Sequence, residues 1–220
     1  VSSPARKLDI REANEALILR AAEKQFALHG FRGTTTEGIA NEAGLPKANV
    51  HYYFKTKANL YRQVLKGILE DWMDAAAAFE ADDDPQRALT LYITAKMQFS
   101  RQRPYGSRVW ANEIMRGAPV MERFLGTTLK TWVNARVRTI RSWISAGKIR
   151  AVDPQSLLYM IWAVTQHYAD FERQIAILNG GNAFDERQYR DRVEQVLKLI
   201  LGSVGFEAQE MTPARQRASA

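Results

Sequence analysis

Gly44 separates two apolar segments, each too short to stand alone. Before it lie Ile39, Ala40 and Ala43; after it, past Leu45 and Pro46, lie Val50 and Phe54 at i, i+4. Isolated helices below about 12–15 residues are marginal in water. Both segments therefore need flanking helices to pack on, and the sequence supplies them. Ile18, Ala22 and Phe26 recur at i, i+4, i+8 in a helix expected from about Asn14 to His29, with Gly30 as its stop. Leu60, Val64, Leu65, Ile68 and Trp72 stripe a longer helix expected from Lys57 to about Phe79. Thr35 suits an N-cap for Thr36–Ala43, Pro46 can open a helix to about Tyr53, and Thr56 caps the long helix. Two short helices about a Gly turn, backed by longer ones, describe a helix-turn-helix.

The remainder reads as helix as well. Strand-like alternation between turn residues is absent, so the expected fold class is all-α. Helices are expected at roughly Pro85–Arg101, Tyr105–Arg116, Pro119–Ala146, Pro154–Leu178 and Glu186–Gly205. The run Asp82-Asp83-Asp84 is a linker and helix start, where negative charge suits a helix N-terminus. Three parts follow: an N-terminal arm with the helix-turn-helix (1–56), a helical ligand-binding and dimerisation body (57–205), and a flexible tail (206–220).

Charge separates the first part from the rest. Residues 1–67 hold 11 Lys/Arg against 6 Asp/Glu, and so carry +5 of the formal +7. A basic end on a nearly neutral body points to a polyanion partner. The absence of Cys removes disulfides, thiolate metal sites and a cysteine nucleophile together. No P-loop, dinucleotide fingerprint or ordered triad is present, so neither an enzyme nor a cofactor is expected. His167 and Asp170 at i, i+3 lack an evident third metal ligand. The longest apolar stretch, Leu157 to Val164, is far below the roughly 20 residues that span a bilayer. No secretory segment is visible, and a cytoplasmic location is expected.

If Val50 and Phe54 point inward, the second short helix presents Lys47, Asn49, His51, Tyr52 and Tyr53, with Lys57 beside them. Asn can read adenine, Lys can reach guanine or phosphate, and Tyr hydroxyls suit phosphate oxygens in a major groove. Thr35 and Thr36 offer a helix N-terminus to another phosphate. These positions match a known pattern in order. Gly30-Phe31-Arg32-Gly33-Thr34-Thr35-Thr36, Ile39-Ala40-Asn41-Glu42-Ala43-Gly44-Leu45 and Asn49-Val50-His51-Tyr52-Tyr53-Phe54-Lys55-Thr56-Lys57 resemble the DNA-binding domain of TetR-family bacterial regulators. Pro46 departs from a frequent Ser cap, and Ala48 from a frequent Gly that bears on how closely the backbone approaches DNA. The resemblance implies an all-helical homodimer on a palindromic operator, with a DNA-binding head and a ligand-binding body.

Two further blocks, Ser107–Pro119 and Val152–Phe171, resemble the pyrimidine-sensing branch of that family. The resemblance implies uracil or thymine as ligand, and Trp72, Trp162 and Gln166 as pocket residues. The residue chemistry agrees. Trp162 and Gln166 at i, i+4 share a helix face, where indole offers a stacking surface and the amide one acceptor and two donors. Trp110 and Glu113, three apart, extend the candidate ligand set; Glu113 either accepts a ring N–H or pairs with a neighbouring Arg. Trp132 and Trp143 read as core or interface residues. Leu157, Ile161, Val193, Leu197 and Leu201 on the last two long helices are the expected dimer face. Three other readings stay open: the same regulator with an unrelated apolar ligand, a small helical enzyme acting on a similar ring, and a basic peripheral protein.

Overall fold

The computed structural model describes residues 4–76 and 84–206, and among these residues there is no strand. The head is built from α1 (Pro4–Gly33), α2 (Thr36–Ala43), α3 (Lys47–Phe54) and the first half of α4 (Lys57–Ala75). The body adds α5 (Pro85–Gln102), α6 (Pro104–Met115), the composite α7, α8 (Pro154–Asp170), α9 (Glu172–Leu178) and α10 (Glu186–Ser203). Composite α7 comprises a helical turn at Glu122–Phe124, a π-helical segment at Leu125–Leu129 and an α-helix at Lys130–Ser145.

Local capping explains most boundaries. Thr35 Oγ1 accepts from Gly38 N at 2.9 Å, and Thr56 Oγ1 accepts from Asn59 N at 3.1 Å. Asp84, Asp153 and Asp185 accept from Gln86, Ser156 and Gln188 N–H groups and start α5, α8 and α10. Gly44 ends α2 at φ 66°, a left-handed geometry that costs glycine no Cβ clash.

Four boundaries differ from expectation. The first helix starts ten residues earlier than expected, at Pro4, and runs past a non-helical Gly30 to Gly33. Pro46 is the N-cap of α3 and not its first helical residue. Its carbonyl accepts from Asn49 N at 2.9 Å. The helix expected from Pro119 begins at Glu122 and is underwound into a π-turn, which spacing does not announce. The helix expected to run unbroken from Pro154 to Leu178 is broken at Phe171. The expected end of α4 at Phe79, Asp82-Asp83 of the acidic linker, and tail residues 207–220 lie outside the described residues.

Two cores hold these helices. One gathers Ile18 and Phe26 of α1, Ile39, Val50, Phe54, and Leu60, Leu65 and Ile68 of α4, and continues into Val109 and Trp110 of α6. The other packs Leu89, Ile93 and Met97 of α5 against Ile140 and Trp143 of α7, Leu158 and Ile161 of α8, and Ile200 of α10. Head and body are thus joined by more than a linker, because α6 of the body packs in the same core as the head helices and α4. The expected dimer-face residues belong largely to this second core. Leu157, Ile161 and Leu201 are buried, and Val193 and Leu197 are packed against it. Apolar count alone did not say which side of each helix the chain covers itself. The exposed stripe is instead Tyr159, Met160, Ala163 and Phe171, with Leu199 on α10.

Candidate functional site

The outward side of α3 carries Lys47, Ala48, His51 and Tyr52, with Tyr52 65% exposed and beside the Lys55 ammonium. Lys47 Nζ lies 3.6 Å from Glu37 of α2, a surface pair that leaves it free to move. Asn49, Tyr53 and Lys57 were expected on the open face but are half-buried. Helical period sets this: 49 and 53 adjoin Val50 and Phe54 in the inward stripe. Tyr53 packs on the head core, and its hydroxyl accepts from Asn14 Nδ2 at 3.4 Å. Lys57 Nζ donates to Thr34 O at 2.7 Å and sits over the Phe31 ring, bracing the turn before α2. Thr35 is exposed at the α2 N-terminus and Thr36 is half-buried.

The body holds a cavity between α4, α5, α6, α7 and α8. Its volume is about 60 Å³. At about 10–15 Å³ per water, this admits a handful of waters, the scale of one small ring. Trp72, Trp110, Trp162 and Gln166 all line it, brought together from three helices. Trp72 meets Trp110 edge-on at 5.3 Å and Phe99 at 5.7 Å, so its ring plane is set from two sides. Trp162 Nε1 donates to Tyr92 Oη at 2.7 Å, which spends its polar edge inside the wall. Among the described residues the Gln166 amide makes no hydrogen bond.

Glu113 is the correction. It does not line the cavity. Its carboxylate accepts from Val120 N at 2.6 Å, Met121 N at 3.1 Å and Tyr61 Oη at 3.1 Å. The group closes the turn after α6, where Gly117 and Ala118 take positive φ, and its oxygens are already occupied. Burial, with the nearby Glu113 charge, raises the Tyr61 pKa.

Sequence reasoning missed Lys96, Tyr92, Trp132, Leu69, Met73 and Leu129, which also line the cavity. Trp132, assigned to core or interface, faces Trp162 at 6.2 Å. Leu129 closes the π-helical segment, so the extra residue in that turn re-aims the cavity wall. Lys96 did leave a signal: it sits at i+4 from Tyr92 and i+3 from Ile93, a lysine in the apolar stripe of α5. Its side chain is buried, with Nζ 4.1 Å from the Trp72 ring centroid. Burial pushes its pKa down to about 7, opposed by the charge of Asp170. Burial in turn raises Asp170, opposed by a hydrogen bond from Ser107 Oγ at 2.7 Å and by Arg108 and Lys96. Among the described residues no three His, Asp or Glu gather to hold a metal, and no helix is long and apolar enough to cross a membrane.

Residues 18–64 match the family model for bacterial regulatory proteins of the tetR family, and residues 65–207 match that for the C-terminal region of YcdC-like proteins. The chain is 39% identical over 192 residues to the HTH-type transcriptional regulator RutR of Escherichia coli (strain K12), covering 87% of this chain and 91% of that one. Two solved structures share the fold. The ketosteroid transcriptional regulator KstR2 of Mycobacterium tuberculosis superposes with a TM-score of 0.71 at 19% identity, over 88% of this chain and 95% of that one. A bacterial regulatory protein in the tetR family from Rhodococcus RHA1 gives 0.65 at 22% identity, over 87% and 97%.

Proposed function

The chain belongs to the tetR family of bacterial regulatory proteins, which makes it a ligand-responsive transcriptional regulator, and we propose that its effector is a pyrimidine base, uracil or thymine. The effector binds the body cavity and releases a homodimer from a palindromic operator. The observation that carries this reading is the convergence of Trp72, Trp162 and Gln166 on one ring-sized cavity. Those three residues are the pocket set implied by the resemblance to pyrimidine sensors. Trp72 and Trp162 supply flat apolar walls. Gln166 supplies an acceptor and two donors to the edge of the ring.

The mechanism runs along α4. Its N-terminus at Lys57 adjoins the recognition helix, and Trp72 lies fifteen residues on, about 22 Å at 1.5 Å per residue. A base held against Trp72 favours one tilt of α4, and two tilts present the paired heads at two spacings. A differential affinity of about 1–3 kcal/mol between them changes operator affinity about 5–150-fold. In this reading residues 1–56 form the DNA-binding head, with Lys47, Ala48, His51 and Tyr52 outermost. Residues 57–205 form the effector body. Two heads on a two-fold axis read two half-sites, hence the palindrome. The dimer face is the exposed stripe of α8 with Leu199 of α10, since a row of uncovered apolar side chains fits a helix-bundle interface.

Calorimetry with uracil and thymine on the purified protein tests the effector. One base per chain is expected, and Gln166→Leu abolishes the heat while keeping the fold. Absence of heat from both bases up to millimolar concentration would falsify the pyrimidine reading and leave the regulator standing.

A further inference from the structure

The polar groups that meet the cavity are mostly donors. Lys96 Nζ has no hydrogen-bond acceptor among the described residues, and the buried indole Nε1 atoms of Trp72 and Trp132 have none either. All three residues line the cavity. Among the described residues no carboxylate lines it. The carboxylate acting on Lys96 is Asp170 of α8, which already accepts from Ser107 Oγ. A second cation, Arg136 of α7, stands 5.0 Å from the Trp132 ring centroid. Tyr92 of α5 is occupied as acceptor for Trp162. From α4 and α6 the cavity meets the indoles of Trp72 and Trp110, which do not titrate. The acceptor left open is the Gln166 amide oxygen.

We propose that Lys96 makes this cavity a donor cage that selects effectors presenting carbonyl or anionic oxygens and rejects rings that turn an amino group toward it. The proposal rests on the pyrimidine reading and sharpens it: a dioxo ring is accepted and an amino-oxo ring is refused. A pyrimidine-2,4-dione offers two carbonyl oxygens to the donors and a ring N–H to the Gln166 oxygen. Cytosine replaces one of those oxygens with an NH₂ group, which meets donors. Sites built to hydrogen-bond one pattern reject its complement strongly, because the buried groups are then left unpaired. The cage also binds a proton. With burial holding the Lys96 ammonium down to about 7, an oxygen ligand restores its charge, so binding above that pH takes up a proton.

The test is calorimetry with uracil, cytosine and benzoate on the wild type and on Lys96→Met. Benzoate is a flat ring whose only polar group is an acceptor carboxylate. Wild type is expected to prefer uracil to cytosine by at least about a hundredfold. Lys96→Met is expected to weaken uracil about 10–100-fold and to narrow that ratio. At pH 8, uracil heats in buffers of different ionisation enthalpy are expected to reveal proton uptake by the wild type, a readout that needs no variant. Equal uracil affinity in Lys96→Met, or no preference over cytosine with no proton uptake in the wild type, overturns the proposal. If neither pyrimidine binds but benzoate binds wild type and not Lys96→Met, the pyrimidine reading falls and the donor cage stands. Benzoate bound equally by both, or by neither, in that case overturns the cage as well.

Discussion

Arg103 Nε donates to the buried carboxylate of Glu23 at 2.8 Å, pinning the α5–α6 junction of the body to α1 of the head. The same guanidinium pairs with Asp71 of α4, the residue before Trp72. One side chain thus touches the head, the connecting helix and the cavity's neighbour in sequence. Burial raises the Glu23 pKa, while the Arg103 hydrogen bond and charge pull it back. Replacing Arg103 by Met strands Glu23. The expected cost is about 2–3 kcal/mol, below the roughly 3–5 of a fully buried pair because Arg103 stays 30% exposed. Chemical denaturation measures it. Glu23→Gln is expected to cost less, since it leaves no charge unpaired. Both variants are expected to weaken the effect of the effector on DNA binding more than they weaken effector binding.

On DNA, the clean electrostatic probe is Lys47, which braces nothing in the fold. Lys47→Ala is expected to weaken all duplexes alike and to lower the salt slope by about one. Lys57→Ala is expected to lose stability as well, because its ammonium holds the Thr34 carbonyl. Asn49→Ala is expected to relax sequence preference by about 1–3 kcal/mol if the half-buried amide reaches a base edge. Salt-dependent anisotropy on matched and scrambled duplexes distinguishes the three.

Glu113→Ala removes the acceptor for one buried and one part-buried backbone N–H group and for Tyr61. At roughly 1–3 kcal/mol per group left unpaired, the melt should shift down clearly. Uracil affinity of the folded fraction should be unchanged, because the carboxylate is outside the cavity. A selective loss of affinity with an unchanged melt would return Glu113 to the ligand set.

Lys96 gives the free protein a pH signature. Its folded pKa is about 7 and its ordinary value 10.5, so between those values the unfolded chain binds more protons. Stability of the ligand-free protein should therefore rise with pH through that window, by up to about 1.4 kcal/mol per unit for one proton. Lys96→Met should flatten the profile. Thermal melts from pH 6.5 to 9 check the sign.

Met160→Asp and Leu199→Asp place charge on the apolar stripe outside the second core. Each should yield a folded monomer by light scattering, with operator affinity lost and effector affinity kept. Leu158→Asp, in the core, should instead fail to fold.

What the sequence revealed was local. Thr35, Thr56 and Asp153 cap helices within three residues, so their starts at Thr36, Lys57 and Pro154 are readable without knowing the partner. Trp72, Trp162 and Gln166 were placed by resemblance, and i, i+4 spacing set only the last two on one face. The rest depends on tertiary packing. Whether Asn49 is open or half-covered depends on α1, and whether Leu157 faces its own core depends on α5. Glu113 was ambiguous because its donors, the N–H groups of Val120 and Met121, follow a turn whose positive φ at Gly117 and Ala118 no helical period encodes. Trp132, read as core or interface, does pack against the second core, and its place on the cavity wall beside Trp162 depends on how α7 meets α8. Lys96 was legible in principle, as a charge on an apolar stripe.

Regulation by the effector requires that the cavity and the head be linked. The direct measurement is anisotropy of a labelled palindromic duplex, selected by the protein from random DNA, titrated with protein at zero and saturating uracil. The predicted result is operator affinity lowered about 5–150-fold, with a uracil midpoint that follows the calorimetric affinity and is lost in Gln166→Leu. Operator affinity unchanged by uracil or thymine, at concentrations that calorimetry shows to fill the cavity, would contradict it.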